Sequence, residues 1–213
     1  MEAKNYGSCR TAIEPWEVKM TIEQAKEAQI QRAQLDKYLK WVHDEGGHEG
    51  PVRLDTFMMP KQKDRIYWLS ERAEGKILEV GCSWGYVLAS LGGHMGVDIS
   101  PASVQLARIL APGREFRVGD VRDLSFLEDK YDTVLLAEVL EHIPFDDVSK
   151  AIDEARKVCR KKILITVPVD ENAMNVKHVW ATTPARIREL EGMLKKPKTV
   201  FENKYFLHIE EEV

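Results

Sequence analysis

A chain of 213 residues, 44% hydrophobic and 31% charged, has the length of one globular domain with a segment to spare, and no apolar run approaches the roughly 20 residues that a bilayer span needs. Its formal net charge of −4 offers no general attraction to nucleic acid or to an anionic membrane. The three cysteines (Cys9, Cys82 and Cys159) lack CxxC spacing and Met1–Lys19 has no apolar core of a secretion signal, which argues against a disulfide framework or zinc cluster and for a reducing, cytoplasmic setting.

Residues 1–20 read as irregular. Thr21-Ile22-Glu23-Gln24 has the form of a capping box, and Ile22, Ala25, Ala28, Ile30, Ala33, Leu35, Leu39 and Val42 recur at helical spacing up to Glu45-Gly46-Gly47. A helical cap is therefore expected over residues 1–60, ahead of a domain over 61–213. A shorter helix is expected at Lys63–Arg72. From Lys76 onward five apolar runs read as strands: Ile77–Val80, His94–Ile99, Glu115–Val118, Tyr131–Ala137 and Lys162–Val167. Helical stretches separate most of them. Ser100 and Pro101 suit the cap and first turn of one; another runs from Asp146-Asp147 to Arg160-Lys161-Lys162, acids first and bases last, as a helix dipole prefers. After a helix over Pro184–Leu194, Thr199–Glu202 and Tyr205–Glu210 read as an antiparallel hairpin at the sheet edge. The expected architecture is α/β: a doubly wound, mostly parallel seven-stranded sheet with a C-terminal antiparallel hairpin and an N-terminal helical cap.

Ile77-Leu78-Glu79-Val80-Gly81-Cys82-Ser83-Trp84-Gly85 is a buried strand, a glycine turn and a helix start, the default ligand site of an open α/β sheet. A nicotinamide dinucleotide turn wants GxGxxG, and GxxxG fits it poorly. The segment also satisfies the hydrolase elbow GxSxG, but such a serine follows a late strand and no HGGG-type segment accompanies this one. The segment resembles motif I of class I S-adenosylmethionine-dependent methyltransferases, (E/D)xGxGxG, with Ser83 in place of the middle glycine. His94-Met95-Gly96-Val97-Asp98-Ile99-Ser100 is similar to that family's second strand, and Val118-Gly119-Asp120-Val121 to its third strand end. The resemblance covers about Lys76 to Val213. It implies a cofactor site of Glu79, Gly81, Cys82, Ser83 and Gly85 at the turn, Asp98 with Ile99 at the ribose, Asp120 with Val121 at the adenine, and Ala137 at the fourth strand end. Cys82 is expected as a small residue against the cofactor rather than a nucleophile.

In Tyr131–Pro144 the pattern Glu138-x-x-Glu141-His142 places two carboxylates and an imidazole within five residues. They can converge if the chain turns tightly after the strand, and such a donor set suits Mg²⁺ or Mn²⁺. Ubiquinone-biosynthesis O-methyltransferases and the enzymes that methylate the terminal 2′-hydroxyl of small RNAs hold a divalent ion with similar residues, and His178 stands where the second of these adds a histidine. The resemblance thus implies a metal site of Glu138, Glu141, His142 and His178. Similar segments are also widespread in methyltransferases with no demonstrated metal. In those, Glu138 would line the methionine pocket and His142 would be a substrate contact or the base, with His178 as another candidate base.

The expected function is methyl transfer from S-adenosylmethionine to a small-molecule acceptor, most readily a hydroxyl, by a monomer or homodimer without a membrane span. Two alternatives stay open, an RNA ribose 2′-O-methyltransferase and a non-catalytic S-adenosylmethionine-binding subunit. Of possible contact surfaces, the bases Arg156, Lys157, Arg160, Lys161, Lys162, Lys195, Lys196 and Lys198 read as a solvated helix end before an RNA face. Trp41, Trp68, Trp84 and Trp180 read as core before acceptor stacking.

Overall fold

Ile77-Leu78-Glu79-Val80 forms a strand buried along its whole length, β1 (Ile77–Val80), with later strands laid on both sides of it. The structure, a computed structural model, describes residues 60–169, 178–202 and 205–213. The helix expected from Thr21, and the cap built on it, lie outside the described residues. After α1 (Pro60–Ser70) and β1 come α2 (Tyr86–Ser90), β2 (Met95–Asp98), α3 (Pro101–Leu110) and β3 (Glu115–Val118). They are followed by β4 (Tyr131–Ala137), a single 3₁₀ turn (Leu140–His142), α4 (Phe145–Val158), β5 (Cys159–Pro168), α5 (Pro184–Met193), β6 (Pro197–Glu202) and β7 (Phe206–Glu212).

The strands form one sheet in the order β3-β2-β1-β4-β5-β7-β6. Pairing is parallel from β3 to β5, and β7 runs antiparallel to both β5 and β6. From β1 the chain winds outward through β2 and β3, then returns to the other side of β1 as β4. That reversal opens a crevice at the carboxyl ends of β1 and β4.

Side chains alternate between the two faces of the sheet, and helices cover both. Leu78, Val80, Val134, Leu136, Ile163 and Ile165 pack with Val148, Ala151, Ile152 and Ala155 of α4 and Leu190 of α5. Ile77, Leu135 and Leu164 pack with Trp68 and Leu69 of α1, Val87 and Leu88 of α2, and Val104 and Ala107 of α3. Each valine, leucine or isoleucine among them contributes about 1.5–3 kcal/mol by leaving water. Local signals set the helix ends. The Ser100 hydroxyl accepts the Ser103 N–H at 3.2 Å with Pro101 in the first turn of α3, and α4 carries Asp146-Asp147 first and Arg156-Lys157 last.

One boundary differs from expectation. Arg160-Lys161-Lys162 do not close α4; they lie in β5, which begins at Cys159. Pairing decides this, because Cys159 lies beside Tyr131 of β4, Lys162 lies opposite Glu212 of β7, and the Lys162 ammonium is 3.5 Å from the Glu210 carboxylate. The antiparallel hairpin stands at the sheet edge as expected, with β6 outermost. β7 lies between β5 and β6, so its Glu210 and Glu211 are buried and ion-paired, Glu211 with Arg156 at 2.8 Å. No helix among the described residues is long and apolar enough to cross a membrane.

Candidate active site

At the end of β1 the chain reverses in a turn whose backbone does most of the shaping. The Gly81 and Cys82 N–H groups both donate to the Val97 carbonyl, at 2.7 and 3.0 Å, which ties the turn to β2. Gly81 has φ 77°, and a Cβ there would overlap the Val139 side chain, so glycine is required both for conformation and for the close approach of the β4 end. Ser83, where the resembled motif has glycine, also holds a left-handed φ of 46°. Its N–H donates to Asp98 Oδ2 at 2.7 Å, and this charged acceptor offsets a conformational cost of roughly 1–2 kcal/mol. The other Asp98 oxygen accepts the Ser100 N–H at 2.9 Å. Asp98 therefore clamps the glycine turn to the start of α3.

One crevice gathers residues from four strand ends: Gly81 and Ser83 after β1, Asp98 and Ile99 after β2, Gly119 through Arg122 after β3, and Glu138, Val139 and His142–Pro144 after β4. The structure thus brings together eight of the nominated residues: Gly81, Ser83, Asp98, Ile99, Asp120, Val121, Glu138 and His142. Glu79, Cys82, Gly85 and Ala137 support the crevice without lining it. Cys82 is buried with Sγ packed toward Gly96, away from the opening, and burial pushes its thiol well above the usual range. Gly85 is the left-handed cap of α2. Glu79 Oε2 accepts the Leu88 N–H at 2.8 Å and so holds the first turn of α2.

Burial pushes the Glu79 carboxyl up to about 8, opposed in part by the Leu88 hydrogen bond and by Arg65. The folded state therefore keeps a proton that the unfolded chain gives up near 4.5. Between these values stability falls as pH rises, by at most ~1.4 kcal/mol per pH unit from this group. Glu79→Gln keeps an oxygen for Leu88 but cannot ionise. Urea unfolding from pH 5 to 8 is expected to show a shallower fall for this variant than for wild type, and parallel curves would refute the assignment.

Beyond β4 the chain takes a left-handed step at Glu138, with φ 58°. The Glu138 N–H donates to the Thr166 carbonyl at 2.9 Å, while its Oε1 accepts the Thr166 hydroxyl at 3.1 Å and lies 3.7 Å from Nη1 of the buried Arg65. The following 3₁₀ turn carries Glu141 and His142. It also docks the segment that bears His178: the Val179 N–H donates to the Glu141 carbonyl at 2.9 Å, and the Trp180 indole N–H to the Leu140 carbonyl at 3.0 Å. The His142 and His178 rings consequently meet edge to face, with centres 5.2 Å apart.

Glu141, His142 and His178 offer ligand atoms within 4.8 Å of one another. Glu138 is not among the converging atoms; its carboxylate is turned to Arg65 and Thr166. Glu141 is 1% exposed, and neither carboxylate oxygen has a hydrogen-bond partner among the described residues. Burial, then the neighbouring Glu138 charge, pushes its carboxyl well above the usual range. A buried carboxylate left without hydrogen bonds is costly, and a cation is one group that relieves it.

The sequence reading did not nominate Arg65, Ser103, Arg122, Ile143 or Pro144. Arg122 is the most consequential, and its position two residues past a strand-end acid was the available signal. Trp68, Trp84 and Trp180 are buried in the core, whereas Trp41 lies outside the described residues. Of the basic residues, Arg156, Lys157, Lys161, Lys162 and Lys195 each lie within 4.0 Å of a carboxylate.

A doubly wound sheet with a glycine turn and acids closing successive strands is the architecture in which α/β domains bind ligands at the carboxyl ends of their strands. Comparison with known proteins places it more closely. Residues 78–165 match the family described as a methyltransferase domain. The ubiquinone biosynthesis O-methyltransferase of Xanthomonas euvesicatoria is 30% identical over 129 residues, covering 56% of this chain and 54% of the relative. The chain thus spans about half the length of the curated relatives it matches. Among solved structures, the N-methyltransferase NodS of Bradyrhizobium japonicum with S-adenosyl-L-homocysteine superposes with a TM-score of 0.61 at 19% identity, over 85% of this chain and 97% of that one. The magnesium protoporphyrin IX methyltransferase of Synechocystis with the same bound product gives 0.55 at 18% identity, over 89% and 99%. Over residues 78–165 the chain is similar to methyltransferase domains, and it shares its fold with solved methyltransferases that bind S-adenosyl-L-homocysteine.

Proposed function

We propose that this protein transfers the methyl group of S-adenosylmethionine to a hydroxyl of a small molecule, with a divalent ion, Mg²⁺ or Mn²⁺, held by Glu141, His142 and His178. The observation that carries the metal reading is the buried Glu141 carboxylate, without hydrogen bonds among the described residues, beside two imidazoles at the end of β4. The name of the ubiquinone-biosynthesis relatives supports a hydroxyl acceptor.

In this reading Asp98 receives the ribose hydroxyls, since a carboxylate accepts two hydrogen bonds at once, and Asp120 receives the adenine amino group while Val121 packs on the ring. Gly81 and Ser83 bring backbone close to the amino-acid portion. The acceptor oxygen would attack the methyl carbon in line, its hydroxyl proton passing to water or to an imidazole of the site not engaged by an ion; the carbon–sulfur bond would break with its electron pair left on sulfur, and S-adenosylhomocysteine would leave. The protein supplies alignment and exclusion of water. An ion bound at the three residues supplies a lowered pKa for a nearby hydroxyl. Glu138, held by Arg65 and Thr166, lines the crevice and is not required as a ligand.

The ion is testable without an acceptor. Mn²⁺ at 100 times its dissociation constant is expected to stabilise the protein by about 2.7 kcal/mol in denaturant unfolding, and Glu141→Ala to abolish that increment. Equal unfolding curves with and without Mn²⁺ in wild type would remove the metal. S-adenosylmethionine binding with no transfer to any acceptor would instead favour a regulatory subunit.

A further inference from the structure

Just past the end of β3, Asp120 does not stand alone. Arg122 reaches back over it: Nε lies 2.9 Å from Oδ1 and 3.1 Å from Oδ2, and Nη2 lies 2.6 Å from Oδ2. The Arg122 backbone N–H also donates to Oδ1, at 2.9 Å. The third nitrogen, Nη1, donates to Asp147 Oδ2 at 2.9 Å. Asp147 is in the first turn of α4, which directly follows Ile143 and Pro144 on the crevice wall.

Terminal carboxylate torsions are broad, so a half-exposed aspartate does not by itself hold one orientation. A planar guanidinium fork removes that freedom, because two parallel N–H donors fix the plane of the carboxylate they grip. The Nε, Nη2 and backbone N–H donors of Arg122 leave one of the roughly four lone-pair directions of the carboxylate, on Oδ2, for another donor. We infer that Arg122 is a positioning residue: it sets the Asp120 carboxylate to accept an exocyclic amino group and so makes the crevice select adenine over a base with a carbonyl at that position. Its grip on Asp147 anchors the guanidinium to α4, so the base-reading corner and the acceptor-side wall share one tether. This rests on the reading of Asp120 as the adenine contact.

S-adenosylhomocysteine and S-inosylhomocysteine differ at that group, an amino donor against a carbonyl acceptor, and their calorimetric binding measures the selection directly. Wild type is expected to prefer the adenosyl form at least tenfold, as the hydrogen bond to a charged acceptor dictates. Arg122→Met should weaken the adenosyl form by about tenfold while changing the inosyl form little, collapsing the preference. Arg122→Lys, which keeps the charge but not the fork, should restore little of it. A merely structural role would weaken both ligands equally and leave the ratio intact, and that result overturns the inference, as would tighter adenosyl binding in Arg122→Met. Asp120→Ala separates the two levels. If it abolishes the preference while Arg122→Met does not, Asp120 reads the base without Arg122; if it too leaves the preference intact, the reading of Asp120 falls and this inference with it. Asp147→Asn, which weakens only the far end of the tether, keeps the test open should Arg122→Met fail to fold, and is expected to reduce the preference partially; an undiminished preference would count against the tether.

Discussion

Asp98→Ala is expected to weaken binding of S-adenosylmethionine and S-adenosylhomocysteine by ~100-fold or more. Two hydrogen bonds from ribose hydroxyls to a charged acceptor are together worth upwards of about 3 kcal/mol, and each 1.4 kcal/mol is tenfold in affinity. A second loss adds to the first, because the same carboxylate accepts the Ser83 and Ser100 N–H groups. Without it the left-handed Ser83 loses the interaction that offsets its strain, and the glycine turn loses its tie to α3. Titration calorimetry reads the effect, with urea unfolding as a check that the sheet survives. Affinity within a few-fold of wild type would mean that the cofactor does not sit at the β2 end.

His142→Ala is expected to act in the opposite way, leaving cofactor affinity within about threefold and lowering turnover by roughly 10²–10⁴-fold, the range of a lost acid–base or ligand group at the reacting centre. The imidazole is the member of the His142, His178 and Glu141 trio that lines the crevice. Whether it holds an ion or takes the hydroxyl proton, its removal strikes the chemical step and leaves the ribose and adenine contacts alone. Release of S-adenosylhomocysteine in the presence of an acceptor measures turnover. Undiminished release would take His142 out of the chemistry. A loss of cofactor affinity equal to the loss of turnover would assign it to binding.

Those features of the fold and site that local chemistry determines were readable in the chain. The glycine turn at 81–85 after a buried strand, the acids Asp98 and Asp120 after the next two strands, and the helix start at Ser100-Pro101 each stand in a short local pattern. Each is settled within a few residues, and the structure has the turn at the end of β1, Asp98 at the end of β2, Asp120 just past β3 and Pro101 in the first turn of α3. What the chain does not display depends on partners distant in sequence. The start of β5 at Cys159 follows from pairing with β4 and β7, so the basic run that looks like a helix end belongs to a strand. Glu138, nominated as a metal ligand by its spacing from Glu141, is turned aside by Arg65 of α1 and Thr166 of β5, neither of which any local pattern connects to it. Cys82 sits in the cofactor motif, yet its side chain points into the core because the turn hangs on the Val97 carbonyl. His178 was found through family resemblance alone. Its physical cause is the docking of Val179 and Trp180 on the 3₁₀ turn.

A crystal structure of the protein with S-adenosylhomocysteine tests the whole account most directly. The ribose is expected against the Asp98 carboxylate, the adenine amino group at Asp120 with Arg122 still gripping that side chain, and the sulfur pointing toward Glu138 and His142. Product bound anywhere else, or a crevice that stays closed in its presence, would contradict the central claim that the 81–85 turn, Asp98 and Asp120 enclose one ligand.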